Sequence, residues 1–560
     1  MITFVVAAAF AAAAHAAPPD LVLRKATAPK QIVTARPFTL TAIVAARGRA
    51  PAATATLTVS AAGAVLATKP LRLRAGQKRL VVKLPVTPST AGAIRLDVAV
   101  TATRPAERVT RNNTRHLLVG VAEFQVYPRS IVTPSFTGYG AQFNHHVYAQ
   151  LSRDVGVTEE NVGDMERKMR DLHPEFSRIF FHPSAFDDPD RMQSFVRTVL
   201  LAQSAGATID ITWQGGRLDT ASGTVQKFAD VLIDLVRNRG VTRLRWLTIQ
   251  NEPNRTRMTP AQYEAQYRQL DPYIQSIRGQ VKYMVGDLVR GPDNGAPNQQ
   301  AWFTYLATHM NDILGAYSIH VFWDYWDTKK PIDRLIEVRA IWDKLPQAAK
   351  KPLYVSEYGV RGWRTFNGVQ QVQPGVWEDG TTPITATNVN AFQHAWFNLL
   401  AATLGYRGTS KWDSYFAKYD RGTQAYYMIG SPASGWPLYP VYNAMRLLTA
   451  AVRPRTRVVR VDSTPGTTRV VAAFATAAGR RTIVGLDFAG ALLNTASPTP
   501  VSYTIGGFRP LRPLDLTVWN AAGDGAIAPA VQIISDAAGV ATFTVPQQAV
   551  FSLTARAGRA

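Results

Sequence analysis

Two glutamates in this sequence stand at positions where a carboxyl group could act on a substrate. Glu252 follows the apolar residues 246–249 and immediately precedes Pro253. Proline disfavours a helical conformation of the residue before it and has no N–H to donate, so we expect Glu252 on an extended segment that leaves its sheet there. Glu357 ends a second apolar segment, residues 353–356. The pattern therefore predicts two carboxyl groups at the ends of two strands.

Two carboxyl groups can cleave a glycosidic bond when they lie on either side of it. One protonates the leaving oxygen, and the other attacks the anomeric carbon or activates a water molecule. The distance between them, about 5–5.5 Å or about 6.5–9.5 Å, selects between these two routes. Both glutamates must therefore face one cleft.

A (β/α)8 barrel brings strand ends together in this way. Between residues 127 and 454, apolar strand-like segments alternate with amphipathic helical segments, which favours a parallel sheet with crossover helices. The predicted strands cover residues 136–144, 177–182, 208–213, 246–252, 282–288, 316–322, 352–357 and 408–413. Eight such units predict a TIM barrel, whose catalytic face lies at the carboxyl ends of the strands. A doubly wound open sheet is the alternative, but no glycine-rich phosphate loop follows the first strand.

The fourth and seventh predicted strands carry the motifs Asn-Glu-Pro (251–253) and Tyr-Val-Ser-Glu-Tyr-Gly (354–359). This pair resembles the clan A glycoside hydrolases, with families 39, 30 and 5 as the nearest groups, and the resemblance covers the whole barrel. It implies that Glu252 is the acid/base, that Glu357 is the nucleophile and that the anomeric configuration is retained.

The same resemblance implies roles for three more residues. Asn251 would hydrogen-bond the sugar 2-hydroxyl, a contact that strengthens in the transition state. Arg178 would hold the nucleophile in its ionised form, since an opposite charge nearby favours the carboxylate. Trp412 would form the floor of the subsite that binds the non-reducing sugar.

His320 resembles a histidine of the sixth strand in the same clan. Two positions later the clan commonly has a tyrosine that hydrogen-bonds the nucleophile, where this chain has Phe322. Tyr325 is the candidate replacement for that tyrosine.

Flat aromatic faces suit the apolar face of a pyranose, and several tryptophans are further candidate sugar platforms. They are Trp213, Trp323, Trp363 and Trp377. The last two lie in the long segment 360–385 after the seventh strand, whose length is typical of a functional loop. Asn144 is a further candidate substrate-binding residue. The adjacent His145-His146 pair has no accompanying Asp or Glu, so we predict no metal and no cofactor.

The barrel is predicted to lie between two all-β domains. Residues 17–122 contain short strand-like segments separated by glycine turns, typical of a β-sandwich. This region resembles the adhesion-type modules of bacterial cell-surface enzymes, which implies a spacer or platform role. Strand-like segments return in residues 455–560, which predicts a second β-sandwich.

Composition and charge narrow the functional classes. The 560 residues are 46% hydrophobic and 18% charged, which is typical of folded domains, and the absence of cysteine excludes thiol chemistry. The net charge is +23, but the arginines are spread through predicted strands and helices and form no continuous run, so we predict no nucleic-acid partner. Two explanations of the net charge remain: an arginine-rich composition without a binding role, and retention of the protein near an acidic cell-wall glycan.

The amino terminus favours export of the protein. Residues 1–16 combine an apolar, alanine-rich run with an Ala-His-Ala cleavage pattern, which predicts a signal peptide. The run is too short for a transmembrane helix, which needs about 20 residues. We therefore expect a secreted protein, in part associated with the cell surface, with an oligo- or polysaccharide as substrate.

Two other functions use the same features. The barrel could serve a carbohydrate-binding or adhesion protein with weak or no catalysis, which polysaccharide cleavage would distinguish from simple binding. The two glutamates could also catalyse transglycosylation, in which a sugar rather than water intercepts the intermediate.

Overall fold

The computed structural model describes residues 20–47, 52–75, 77–104, 106–107, 109–256, 258–290, 295–419, 422–492, 499–521 and 526–555. The predicted signal peptide, residues 1–16, lies outside the described residues.

The amino-terminal part of the chain forms two sheets. Its strands are β1 (Asp20–Thr27), β2 (Gln31–Val33), β3 (Phe38–Arg47), β4 (Ala53–Ala61), β5 (Ala64–Leu73), β6 (Leu80–Val86), β7 (Gly92–Arg104) and β8 (Thr114–Ala122). The strand orders are β1-β3-β6 and β2-β8-β7-β4-β5. Buried aliphatic residues from both sheets, such as Leu40 and Leu57, form one core. The region predicted as a β-sandwich is thus all-β, with two sheets around a shared core.

Eight parallel strands form the central sheet. After β9 (Phe124–Phe136), they are β10 (Gly138–Ala141), β11 (Phe176–Phe181), β12 (Thr208–Trp213), β13 (Leu244–Ile249), β14 (Lys282–Leu288), β15 (Leu314–Asp324), β16 (Leu353–Arg361) and, after the short β17 (Thr365–Phe366) and β18 (Val369–Gln370), β19 (Gly408–Lys411). Their order is β10-β19-β16-β15-β14-β13-β12-β11. Backbone hydrogen bonds from Glu175 to Tyr139 (2.9 Å) and from Phe143 to Arg178 (3.0 Å) join β10 to β11. The predicted eight-stranded parallel barrel is confirmed.

Helices connect the strands and cover the sheet. They are α1 (Gln150–Arg153), α2 (Glu159–Leu172), α3 (Pro189–Ser204), α4 (Thr224–Arg237), α5 (Pro260–Leu270), α6 (Ala296–His309), α7 (Lys329–Asp343), α8 (Asn388–Thr403) and α9 (Pro440–Ala451). The sequence marks several of their starts. Thr259 and Gln262 form a capping box with Pro260 at the first helical position, as the sequence predicts. Within the described residues, no helix has both the length and the apolar character needed to cross a membrane.

The carboxy-terminal strands form one large sheet. After the short β20 (Lys418–Tyr419) and β21 (Gly422–Thr423), they are β22 (Thr456–Ser463), β23 (Arg469–Ala475), β24 (Arg481–Asp487), β25 (Pro500–Gly506), β26 (Pro513–Asn520), β27 (Val531–Ile534), β28 (Val540–Pro546) and β29 (Ala549–Ala555). The order is β27-β26-β29-β24-β23-β22-β9-β25-β28. Tyr503 of β25 packs on Phe551 of β29, with ring centroids 4.7 Å apart, so the sheet folds over itself. Since β9 belongs to this sheet, the predicted barrel boundary at residue 127 falls within a strand of the carboxy-terminal domain.

The closure of the barrel between β10 and β11 depends on Gly140. A Cβ atom built there would lie 1.6 Å from the carbonyl oxygen of Phe176. We expect Gly140→Ala to destabilise the barrel by about 3 kcal/mol or more, because the backbone itself would have to move. Thermal unfolding followed by near-UV circular dichroism measures this effect. Gly279→Ala is the matched control, since a Cβ there meets nothing within 4 Å; equal midpoints for the two variants would contradict the assignment.

Candidate active site

Glu252 lies just beyond β13, on the catalytic face of the barrel. Its backbone is left-handed, with φ 50° and ψ 52°, and residues 253–255 form a short 3-10 turn. The predicted extended backbone at this position is therefore wrong. Glu252 avoids the right-handed helical region that Pro253 disfavours, as expected, but at the start of the tight turn it adopts the left-handed region and not the extended one.

The two predicted glutamates meet across a buried histidine. His320 Nδ1 lies 3.2 Å from Glu252 Oε1 and 3.9 Å from Glu357 Oε1. One carboxylate oxygen of each glutamate and a ring nitrogen of His320 all lie within 4.8 Å of one another. The turn after β13 and residues within β15 and β16 thus bring these three side chains into one cluster. The prediction that Glu357 ends its strand is wrong, because β16 continues for four more residues to Arg361.

Arg178 lies beneath this cluster with its side chain 0% exposed. Its Nη1 donates to Glu357 Oε2 at 2.6 Å, and its Nη2 donates to Asn251 Oδ1 at 2.8 Å. Its Nε donates to the hydroxyl of Thr212 at 2.9 Å. The guanidinium therefore fixes both the predicted nucleophile and the asparagine that precedes the predicted acid.

Asp287, at the end of β14, is a site residue that sequence reasoning missed. It pairs with Arg178, and its Oδ1 lies 3.4 Å from His320 Nε2. The hydroxyls of Ser318 and Ser356 donate to the same Oδ1 at 2.7 and 2.5 Å. The signal available in the sequence is only a Gly-Asp pair at the end of a predicted strand, where Gly286 and Asp287 both adopt positive φ.

The buried charges shift the pKa values of one another. Burial lowers the pKa of His320, but Glu357 and Asp287 outweigh it and raise that pKa to about 9. Burial raises the pKa of Asp287, yet Arg178 and His320 hold it well below its ordinary value. His320 therefore carries a positive charge at neutral pH, between three carboxyl groups.

The pKa values of the two glutamates move in opposite directions. Burial raises the pKa of Glu357, and His320 and Arg178 only partly oppose this rise. Burial also acts to raise the pKa of Glu252, but His320 and Arg255 outweigh it, so that the pKa is lowered. Arg255 Nη1 lies 3.0 Å from Glu252 Oε2, and its side chain is 73% exposed. The surroundings of the two carboxyl groups thus shift their pKa values in opposite directions.

Positively charged side chains would oppose the binding of a metal ion at this cluster. Among the described residues, Glu252, His320 and Glu357 are the one group of His and carboxylate side chains close enough to hold such an ion, and His145 is not part of it. An arginine already contacts Oε2 of each glutamate, and the positive charges of these arginines would repel a cation at the cluster. The arrangement is instead suited to acid–base chemistry.

Two of the predicted sugar platforms belong to the core. Trp213 is 0% exposed and packs on Phe181 and Phe228. Trp323 is also 0% exposed and packs on Phe397. The prediction that these two tryptophans stack on a sugar is therefore wrong. Strands buried on both faces carry apolar residues on both sides, and the sequence does not show which side faces the cleft.

Trp412 and Asn144 lie near the nucleophile but are largely enclosed. Trp412 is 7% exposed and stacks on Tyr419, with centroids 5.7 Å apart. The amide of Asn144 accepts from the His146 N–H at 3.0 Å and contacts Asp413 at 3.5 Å. Asn144 therefore holds the loop after β10 and presents no open polar group to a substrate.

Tyr325 does not replace the expected tyrosine beside the nucleophile. Its hydroxyl donates to Glu378 Oε1 at 2.9 Å, in the loop after β16. Phe322 packs on Tyr426 instead of reaching Glu357. The ring of Tyr325 supports Trp326 and Trp377, with centroids 4.9 and 4.7 Å away.

Trp363 is exposed, as a sugar platform requires. Its side chain stacks on Trp326, with centroids 4.2 Å apart and planes 23° apart. The two residues are 38% and 45% exposed, and they are the only aromatic members of the exposed large hydrophobic residues in the part of the chain that the structure describes. The sequence reasoning missed Trp326, because exposure cannot be read from residue type.

Comparison with known proteins places this arrangement among glycoside hydrolases by fold. No family model and no curated protein matches the sequence. A family 30 subfamily 8 xylanase from Clostridium acetobutylicum matches 77% of this chain and 99% of its own, at 12% identity and a TM-score of 0.52. A bacterial orthologue of human α-L-iduronidase matches 78% of this chain and 84% of its own, at 12% identity and a TM-score of 0.51.

An endo-β-1,6-glucanase is similar in the same way. It matches 80% of this chain and 97% of its own, at 10% identity and a TM-score of 0.50. At these identities the likeness is one of fold. The predicted barrel fold is thus confirmed as one that these three solved glycoside hydrolases share.

Proposed function

We propose that this protein is a secreted glycoside hydrolase that cleaves an oligo- or polysaccharide with retention of anomeric configuration. The observation that carries the proposal is the placement of Glu252 just beyond the fourth barrel strand and of Glu357 within the seventh, with one carboxylate oxygen of each within 4.8 Å of the other. A separation of about 5–5.5 Å is typical of retaining enzymes, whereas inverting enzymes need about 6.5–9.5 Å to admit a water molecule.

The proposed reaction has two steps. The carboxylate of Glu357 attacks the anomeric carbon while Glu252 gives its proton to the leaving oxygen, which forms a glycosyl ester and releases the aglycone. Glu252 then takes a proton from water, the resulting hydroxide attacks the anomeric carbon, and the ester bond to Glu357 breaks. Interception by a sugar hydroxyl instead of water would give transglycosylation from the same intermediate.

Asn251 is suited to hold the sugar in place. A guanidinium only donates hydrogen bonds, so the amide oxygen of Asn251 must face Arg178, as the 2.8 Å contact shows. This leaves the amide nitrogen to donate to a sugar hydroxyl. We assign it the contact with the 2-hydroxyl.

His320 and Asp287 position the reacting carboxyl groups. The imidazolium holds Glu252 through Nδ1, while the Asp287 carboxylate, 3.4 Å from Nε2, attracts the other side of the ring. Asp287 lies beneath the cluster and has 0% side-chain exposure, so we infer that it acts through Arg178 and His320 and does not touch the substrate.

The stacked pair Trp326 and Trp363 supports an extended glycan as the substrate. Trp363 lies six residues past Glu357, and Arg361, the last residue of β16, is already about 13 Å along the strand from the nucleophile at ~3.3 Å per residue. A sugar stacked on this pair would belong to a chain that continues well beyond the cleaved bond. We therefore propose cleavage within long chains.

Replacement of the two glutamates tests the reaction. We expect Glu357→Gln to lower kcat by roughly 10⁴-fold or more, because the amide cannot form the ester. Glu252→Ala should retain ester formation on substrates with good leaving groups, and azide should restore its turnover. Proton NMR of the first product anomer measures retention. Full activity of Glu357→Gln would contradict the proposal, and an inverted first product would exclude the two-step route.

Asp287→Asn tests the positioning role. Loss of the anion should lower the His320 pKa from about 9 and reduce kcat about 10- to 100-fold, with a smaller change in KM. Because the folded pKa lies above the unfolded value of about 6.5, the charged His320 stabilises the fold fully below that pH and ceases to do so as pH rises through about 9.

Nitrogen-15 NMR of labelled histidine measures the pKa in this variant. Asp312→Asn is the control, since Asp312 pairs with Arg268 at a distant surface and should leave both the pKa and kcat unchanged. A variant with lower kcat but an unchanged His320 pKa would show that Asp287 has only a packing role.

Trp363→Ala tests the extended substrate. We expect KM for a polysaccharide to rise about 2- to 10-fold, because one stacking contact is lost, with a smaller effect on a short aryl glycoside. Val369→Ala, in the same loop and 62% exposed, is the matched control. Equal effects of Trp363→Ala on the polymer and on the short glycoside would contradict a distant subsite.

A further inference from the structure

The positive charge of this chain is concentrated in its amino-terminal domain. Residues 1–122 contain 17 Lys and Arg and only 3 Asp and Glu, so they carry +14 of the total +23. From residue 21 to residue 96 there are 13 basic residues and no acidic one. The barrel and the carboxy-terminal sheet are close to charge balance for their length. Most of the net positive charge thus lies in the first domain and not in the barrel that holds the candidate active site.

Six of these basic residues converge on one edge of the domain, where β5 and β6 meet. We call this surface the basic edge. It consists of Lys69, Arg72, Arg74, Lys78, Arg79 and Lys83. All six are exposed, and among the ion pairs of the described residues none joins any of them to a carboxylate. Lys69 Nζ donates to the carbonyl of Lys83 at 3.0 Å, which ties the two strands together.

The basic edge faces away from the rest of the protein. β5 is at one end of the five-stranded sheet and β2 is at the other. The β2 end packs on the carboxy-terminal sheet, where Gln125 donates to Gln31 at 2.8 Å and Arg36 lies 3.9 Å from Asp462. The opposite end therefore remains open to a partner.

The residue types at this edge define the partner's chemistry. Exposed lysines and arginines without carboxylate partners attract a polyanion. Phe38 is the one Phe, Tyr or Trp in residues 17–122, and it packs against the domain core. The basic edge therefore offers no aromatic ring for stacking on nucleic-acid bases or on the apolar faces of sugars. The remaining recognition is ionic, with repeated anionic groups along a chain.

We propose that the basic edge binds a carboxylated polysaccharide, such as a polyuronate, and holds the protein on a glycan matrix. The basic edge would then be the surface that binds the acidic cell-wall glycan, which is one of the two explanations of the net charge. It does not depend on the activity of the barrel, because the residues involved lie on a separate domain. A glycan carrying regularly spaced carboxylates matches a row of basic side chains that lacks aromatic neighbours.

Binding of the full-length protein to polygalacturonate tests this inference. The probes are polygalacturonate and its methyl-esterified form, which has the same backbone without the charges, measured by affinity electrophoresis. We expect binding to the charged form only, with an affinity that falls steadily with salt between about 50 and about 300 mM. Equal retention by the esterified polymer, or tighter binding to duplex DNA at the same salt, would overturn the proposal.

Charge removal identifies the surface. The triple variant Lys69→Gln/Arg72→Gln/Lys83→Gln should bind polygalacturonate about tenfold or more weakly, since each basic residue near an anionic surface contributes to attraction. The control Arg245→Gln/Lys282→Gln/Lys344→Gln removes the same charge from exposed positions of the barrel and should bind like the native protein. Equal thermal midpoints show that both variants are folded.

A different role for these residues would give a different result. Charged side chains on edge strands also prevent pairing with a second copy of the chain. If that were their only function, the triple variant would self-associate in sedimentation velocity and yet bind polygalacturonate with native affinity. That outcome would overturn the assignment of the basic edge as a glycan-binding surface.

Discussion

The buried guanidinium of Arg178 is the feature on which the rest of the site depends. It contacts Glu357, Asp287 and Asn251 with no exposure to water. A buried charge that loses its partner destabilises a protein by several kcal/mol, so each of these groups is held where the guanidinium requires it. Arg178 on β11 therefore ties together β14, β16 and the turn after β13, and this constraint helps to set the spacing of the two glutamate carboxyl groups.

Below the cluster, hydroxyl side chains in the barrel interior form hydrogen bonds with two buried aspartates, Asp287 and Asp210. Hydroxyls of Ser318 and Ser356 donate to Asp287, and the hydroxyl of Thr248 lies 3.1 Å from both oxygens of Asp210. Burial and the charge of Asp287 raise the pKa of Asp210 to about 7, whereas Arg178 keeps Asp287 ionised. One aspartate is thus the lasting anion near neutral pH. Glu357 and this aspartate together raise the pKa of His320, so the imidazole stays protonated between the two glutamates.

The sequence predicts those site residues that a short local pattern identifies. A glutamate before a proline at the end of an apolar segment is visible in one dimension, so the position of Glu252 could be predicted although its left-handed backbone could not. No local pattern identifies Asp287, because its role comes from contacts with three other strands. The direction of Trp323 and the exposure of Trp326 depend on packing that no local pattern records. The pairing of β9 with β22 joins segments more than 300 residues apart, which strand patterns alone cannot reveal.

In the reaction proposed above, the arrangement of charges would allow Glu252 to act first as an acid and then as a base. In the free site, His320 and Arg255 hold the pKa of Glu252 low, but Arg255 is largely exposed, and water weakens its attraction. A glycan bound over Glu252 competes for that contact, and the ionised Glu357 then favours the protonated form of its neighbour through like-charge repulsion. Formation of the ester removes the charge of Glu357. The repulsion ends at the step where Glu252 must accept a proton from water, so its pKa falls when the reaction requires a base.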